Sequence, residues 1–153
     1  MKPITEQEAL SKLAALCSRA EHCSGEMLEK MRQWGLDDEA QARVMAYLVK
    51  EKYVDDERYS RFFVRDKIHY NKWGRRKVEQ ALYLKHVDKS VYGPVLDEVS
   101  DAEYVEQLRP LIASKRRSIK AGSDYELNMK LIRFALGRGF TMDVIRQVLD
   151  VDD

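Results

Sequence analysis

Tyr53-Val54-Asp55-Asp56-Glu57-Arg58-Tyr59-Ser60-Arg61-Phe62-Phe63, carried on by Lys72-Trp73-Gly74-Arg75-Arg76-Lys77-Val78, is the stretch on which the reading of this chain turns. It spells a turn with helix-capping chemistry, then an amphipathic helix, then a basic turn that opens another helix. Asp55 or Asp56 can accept a hydrogen bond from an unpaired N–H of the first helical turn, and Glu57 adds negative charge at the positive helix end. Tyr59, Phe62, Phe63 and Val64 are expected to face a core, leaving Arg58, Arg61, Arg65 and Lys67 in water. Between Arg61 and Lys77 seven basic residues (Arg61, Arg65, Lys67, Lys72, Arg75, Arg76, Lys77) stand against one acid, Asp66. No other stretch is so strongly one-signed.

Outward from this centre, helix signals recur. Thr5-x-x-Glu8 is a capping box ahead of Ala9, Leu10, Leu13, Leu16 and Cys17 at helical spacing. Ser24 is expected to cap a second helix that turns Met27, Leu28 and Met31 inward and stops at Gly35. Asp37 or Asp38 starts a third, carrying Ala40, Val44, Tyr47 and Leu48. Beyond the aromatic helix, a fifth begins near Gly74 with Val78, Ala81 and Leu82 inward. Asp88 caps a sixth, in which Pro94 is expected to bend or start the helix. Ser100-x-x-Glu103 caps a seventh, kinked by Pro110. Ser123-x-x-Glu126 and Thr141 cap the last two, separated by Gly137 and Gly139. No run alternates in the manner of a strand. The expected fold class is all-α.

Offsets of about fifty residues bring three segments into register, a period typical of helical arrays. Met27 and Met31 fall on Val78 and Leu82, then on Leu131 and Ala135. Ala40 and Val44 fall on Val91 and Val95, then on Val144 and Val148. The turns Trp34-Gly35-Leu36, Lys85-His86-Val87 and Arg138-Gly139-Phe140 align as well. The expected organisation is three tandem three-helix repeats, 1–54, 55–100 and 101–153, in an elongated, curved array. The last ends in a short acidic tail of Asp150, Asp152 and Asp153. Each repeat is too small for a self-sufficient core, so stacking between neighbours must contribute to stability.

Composition bounds the function. Of 153 residues, 44% are hydrophobic and 35% charged, and the net charge is only +1, so attraction to an anionic partner must come from local clustering. Cys17 and Cys23 are too few for a secreted disulfide scaffold, and the N-terminus lacks a signal-peptide apolar region; a cytoplasmic protein with no membrane association is expected. Catalysis finds no support. No glycine opens a phosphate-cradling loop. Cys17, His22 and Cys23 match no strong zinc spacing, and the acid pairs Asp37-Asp38 and Asp55-Asp56 are accounted for by capping. No enzyme activity, no cofactor and no metal are expected.

The basic clusters remain. To those of Arg61–Lys77 the third repeat adds Lys115, Arg116, Arg117 and Lys120, then Lys130, Arg133 and Arg138. Arginine forks and lysine charges can contact phosphates or an acidic protein surface. Trp73 and Tyr70, lying among them, can stack on bases. The plain alternative is a set of solvated helix faces with Trp73 packed between helices. The candidate partner-binding or nucleic-acid-binding residues are Arg61, Arg65, Lys67, Lys72, Arg75, Arg76, Lys77, Lys115, Arg116, Arg117, Arg133 and Arg138.

Tyr53-Val54-Asp55-Asp56-Glu57-Arg58-Tyr59-Ser60, then Phe63-Val64 and Lys72-x-Gly74-x-Arg76-x-Val78, resembles the central motif of the RecX regulatory proteins, bacterial modulators of the RecA recombinase. The segments around Met27–Gly35 and Leu131–Gly139 look like the flanking repeats, so the resemblance covers nearly the whole chain. It implies a non-catalytic protein that lies in the groove of a RecA–DNA filament; a monomer is the simpler expectation. It further implies inhibition of ATP hydrolysis and strand exchange, and so modulation of homologous recombination, DNA repair and the SOS response. DNA would be met directly or through the filament. Two departures stand out: Lys85-His86-Val87 replaces a Lys-Gly-Ile type turn, and Ser60 replaces a small alanine. A stand-alone helical nucleic-acid-binding module is the alternative from the residues themselves.

Overall fold

The computed structural model describes residues 3–149, so the acidic tail of Asp150, Asp152 and Asp153 lies outside the described residues. Among those described, the chain is all-helical: α1 (Glu6–Arg19), α2 (Ser24–Gln33), α3 (Asp38–Lys50), α4 (Asp56–His69), α5 (Arg75–Leu84), α6 (Lys89–Asp97), α7 (Asp101–Ser118), α8 (Asp124–Gly137) and α9 (Met142–Val148). Helix starts follow the capping chemistry. Thr5, Asp37, Ser100, Ser123 and Thr141 each accept a hydrogen bond from a first-turn N–H. Asp55 does the same for α4, taking the Arg58 N–H at 3.0 Å. Pro94 and Pro110 lie inside α6 and α7, which continue through them.

The second helix departs from expectation. Its cap is Cys23, whose N–H donates to the Glu26 carboxylate at 3.1 Å, and Ser24 becomes the first helical residue. The Ser24 hydroxyl and N–H are instead taken by Asp56, at 2.5 and 2.7 Å. Asp56, the other capping candidate of the central motif, thus ties the start of α4 to the start of α2.

Within α4 the buried side chains are Tyr59, Ser60, Val64 and Ile68. Phe62, expected in the core, is 58% exposed. It lies two residues from both Ser60 and Val64, about 200° round the helix from each, so the face that buries them must turn Phe62 outward. Ser60 is buried without penalty because its hydroxyl donates to the Asp56 carbonyl at 2.7 Å. Arg58, expected in water, is half-buried: its Nε donates to Glu21 at 2.7 Å and its fork reaches the Lys52 and Tyr53 carbonyls.

The three aligned turns share one geometry. After α2, α5 and α8 the middle residue takes a positive φ, with Gly35 at 75°, His86 at 61° and Gly139 at 93°. The following N–H then reaches five residues back: Leu36 to Met31 at 3.1 Å, Val87 to Leu82 at 3.2 Å, Phe140 to Ala135 at 3.1 Å. The middle N–H bonds to the carbonyl three residues back in each, completing the Schellman pattern that satisfies the last carbonyls of a helix. His86 accepts the left-handed conformation at a cost of about 1 kcal/mol that glycine avoids. The six aligned residues Met27, Met31, Val78, Leu82, Leu131 and Ala135 are all fully buried.

By contact density the chain divides into two compact units. Unit 1 comprises Met1–Phe62 and Leu82–Tyr92, and unit 2 comprises Phe63–Ala81 and Gly93–Asp153. In unit 1, α1 and α2 pack on α3 around Leu13, Met27, Met31, Val44, Leu48 and Val54. In unit 2, α7, α8 and α9 pack on one another. Each unit joins the head of one second helix to the turn of the next repeat. In unit 1, Gly25 at the head of α2 lies against the Lys85–His86 backbone so closely that a Cβ would overlap the Lys85 carbonyl, and the Cys23 thiol donates to that same oxygen at 3.5 Å. In unit 2, Gly74 meets the Gly139–Phe140 backbone just as closely. There the Gly74 N–H donates to the Arg138 carbonyl at 2.8 Å and the Arg76 N–H to that of Gly139 at 3.0 Å.

The unit 1 junction carries charge. Burial works to raise the Glu26 pKa, but the Cys23 N–H, the Lys85 ammonium at 3.5 Å and His22 outweigh it and hold the carboxyl below its usual range. Burial pushes the Cys23 thiol up to about 12, so it remains protonated and packs as an apolar group.

Two predictions follow from these turns. Gly139→Ala would meet both the positive φ and the Lys77 backbone, whereas Gly35→Ala meets only the φ, with open space around it. Urea unfolding should show Gly35→Ala costing about 1 kcal/mol and Gly139→Ala at least about 3, while Gly93→Ala inside α6 gains about 0.5–1. Equal costs at positions 35 and 139 would contradict the packed junction. Because the folded Glu26 pKa is depressed, its stabilisation is complete above the unfolded carboxylate pKa of about 4.3 and lost as pH falls through the folded value. The stability gap between the wild type and Glu26→Gln should therefore be widest at neutral pH and close on acidification towards pH 3; a gap constant with pH would refute the assignment.

Candidate functional site: cations gathered on aromatic rings

All of the basic candidates except Arg61 fall in unit 2. Arg61 is in unit 1 and pairs with Glu57 at 2.7 Å. The residues of unit 2 fall into three groups.

The first gathers on aromatic rings. Lys67, expected in water, has its ammonium 5.3 Å from the ring centres of both Phe63 and Trp73, and Lys77 lies 4.8 Å from Trp73. Lys115 and Arg138 lie 5.1 and 5.9 Å from the Phe134 ring. The two ring clusters are joined through backbone: the Arg138 guanidinium donates to the Lys72 carbonyl at 3.2 Å and to the Asn71 carbonyl. Lys72 itself takes a positive φ of 56° and reaches Gln107 at 2.6 Å, whose amide in turn lies 3.3 Å from His69 Nδ1. Lys67, Lys77, Lys72, Arg138 and Lys115 are therefore brought together around Trp73 and Phe134.

Arg75 stands apart, held by Asp97 at 2.6 Å. Arg65, Arg76, Arg116, Arg117 and Arg133 form the last group, exposed and without an ion pair among the described residues. Such groups keep their full charge for a partner.

The arrangement decides what the surface can do. Two ammonium groups already occupy the π-cloud of Trp73, so a stacking base would have to displace them. At the α5 N-terminus the Gly74 and Arg76 N–H groups are already spent on the Arg138 and Gly139 carbonyls, which takes two donors away from any phosphate cradle there. What remains is a set of cations held at fixed points by rings and carbonyls, suited to carboxylates or phosphates on a larger surface. Tyr70, 82% exposed, and Phe62 are the aromatics of the basic stretch left open to stacking. That Phe134 carries two cations was not anticipated from the sequence, although its i+4 spacing to Arg138 was an available signal.

Among the described residues no three His, Cys, Asp or Glu side chains gather as a metal-binding group, and no helix is long and apolar enough to cross a membrane.

Comparison with known proteins gives the family. Residues 101–149 match the model for the RecX third three-helix domain, and residues 55–92 that for the second. The chain is 28% identical over 135 residues to Regulatory protein RecX of Acinetobacter baylyi, covering 88% of this chain and 82% of that protein. It is 29% identical over 125 residues to Regulatory protein RecX of Finegoldia magna, covering 80% of this chain but 61% of that longer protein. Among solved structures, a crystal structure of regulatory protein RecX superposes with a TM-score of 0.87 at 18% identity, over 95% of this chain and 73% of the other. RecX from Lactobacillus salivarius gives 0.85 at 19%, over 94% and 93%. These two likenesses establish the shared fold, and the family models between them match more than half of the sequence: this chain belongs to the RecX family of regulatory proteins.

Proposed function

We propose that this protein is a non-catalytic regulator that binds the RecA recombinase filament and inhibits its ATP hydrolysis and strand exchange, so modulating recombination and DNA repair. The observation that carries the reading is the gathering of cations in unit 2 of a chain whose net charge is only +1. Lys67, Lys77, Lys115 and Arg138 are pinned on rings, and Arg65, Arg116 and Arg117 stand free beyond them. A filament of recombinase on DNA offers carboxylates and phosphates together, and charges held in place lose less entropy on meeting them than freely rotating side chains do. The names of the relatives support a regulatory role. In this reading the protein works in the cytoplasm as a monomer and needs no cofactor.

The test is the DNA-dependent ATPase of RecA titrated with purified protein. Inhibition is expected at stoichiometric amounts or below. Replacing Arg65, Arg116 and Arg117 together by Ser should weaken it about tenfold and flatten its dependence on salt. No inhibition at any ratio would overturn the proposal. DNA binding of equal strength without recombinase would point to a stand-alone nucleic-acid module instead.

A further inference from the structure

From Ala113 to Lys130 no side chain is buried, and from Ala113 to Glu126 every residue but Ile119 is exposed. The next longest run without a buried residue among those described, Ala14–His22, is half as long and carries one arginine, Arg19. The long run takes in the last turns of α7, the connection after it and the first half of α8. Ile112 is the last side chain that α7 buries.

Few bonds hold the chain beyond that point. The Ile119 N–H reaches the Lys115 carbonyl at 3.2 Å, the Lys130 ammonium the Lys120 carbonyl at 2.9 Å, and the Gly122 N–H the Glu126 carboxylate at 3.0 Å. Such exposed bonds exchange for bonds to water at small cost. The stretch can therefore straighten without withdrawing any apolar side chain from the core, the condition for local opening. An endopeptidase needs this, since the chain must extend through its cleft. Exposed connections of small and polar residues, here Lys120-Ala121-Gly122-Ser123, are the preferred places for nicking. Lys115, Arg116, Arg117 and Lys120 add the cationic side chains that one class of endopeptidase selects.

We infer that Lys115–Lys120 is a processing site for an endopeptidase of the trypsin class, which cleaves after arginine or lysine. Water adds across one peptide bond: the carbonyl side becomes a carboxylate and the following nitrogen an ammonium, with no other reactant. The two pieces stay together. Leu108, Ile112, Leu131, Ile132, Ala135 and Ile145 remain buried between α7, α8 and α9, and the Arg138 and Gly139 carbonyls keep the Gly74 and Arg76 N–H groups. What changes is the basic surface. A cut after Arg117 sets a new carboxylate beside Lys115, Arg116 and Arg117 and lets the end of α7 unwind, so these cations lose their fixed spacing. The site itself stands on burial and sequence; its consequence, that cleavage ends inhibition, rests on the proposed binding to a recombinase filament.

The experiment treats the native protein with dilute trypsin and follows the first cut by intact mass. That cut should fall after Lys115, Arg116, Arg117 or Lys120, and the two pieces should elute together in gel filtration. Replacing these four exposed residues together by Gln should slow the first cut at least about tenfold, because cleavage follows the population of the open segment and the presence of a cation in it. Nicked protein, repurified and added to the RecA ATPase, should inhibit about tenfold less well than the intact chain. A first cut elsewhere, such as after Lys52 or Lys85, overturns the site, and so do pieces that separate. Nicked protein that inhibits as well as intact protein overturns the consequence and leaves the proposed function standing. An intact chain that never inhibits overturns the proposed function, and the digestion pattern still decides the site.

Discussion

The contact on which the rest depends is between backbones: the head of one second helix against the left-handed turn that ends the next. In unit 2 it consists of Gly74 and the Arg76 N–H meeting the carbonyls of Arg138 and Gly139. No side chain can intervene, since a Cβ on either glycine would overlap main chain. Main-chain bonds of this kind hold the register of two helices to within a fraction of an ångström and depend on sequence only through the glycines that permit them. Unit 1 makes the same kind of join with different chemistry, using Gly25 for the close approach and the Cys23 thiol as a weak donor. A hydroxyl or amide at that buried position would demand a fuller set of partners; a protonated thiol does not.

That junction also explains where the cations lie. Arg138 is the residue before the left-handed glycine, so the turn that locks unit 2 aims its side chain at the Asn71 and Lys72 carbonyls. Those carbonyls are available because Lys72 sits at positive φ and turns its peptide away from the helix it follows. Lys77, whose backbone lies under Gly139, extends its side chain to Trp73. Arg138 and Lys77 of the basic cluster are thus also residues of the junction, and Lys67 and Lys115 join them through the rings of Trp73 and Phe134.

The sequence disclosed the periodic parts of this structure. Capping residues, the apolar pairs and the three aligned turns are local, and each obeys a rule of backbone chemistry that survives any surroundings: Thr5, Asp37, Ser100, Ser123 and Thr141 all cap where the pattern puts them. His86 shows the strength of that rule, taking the glycine conformation because the hydrogen bonds on either side of it leave no other path. Legibility ended where a residue's partner is distant in sequence. Ser24 looked like a cap until Asp56, thirty-two positions on, claimed its hydroxyl, and nothing within the second helix announces that. Phe62 misled because an aromatic in a run of aromatics invites burial, when the face is fixed by Ser60, a polar residue made buriable by its own bond to Asp56.

The same distinction bears on the site. A list of arginines and lysines is visible in any sequence, but whether they act as one surface depends on what holds them. Lysine on a solvated helix face has four free torsions and loses most of that freedom when it binds. Lys67 and Lys77 have already given much of it up to the Trp73 ring, and Lys115 to that of Phe134. Trp73 therefore serves less as a platform for bases than as the fixed point about which charge is arranged. The net charge near zero fits this picture, since a protein that relied on bulk attraction would bind any polyanion, whereas one that relies on placed charges selects a partner whose own charges match the placement.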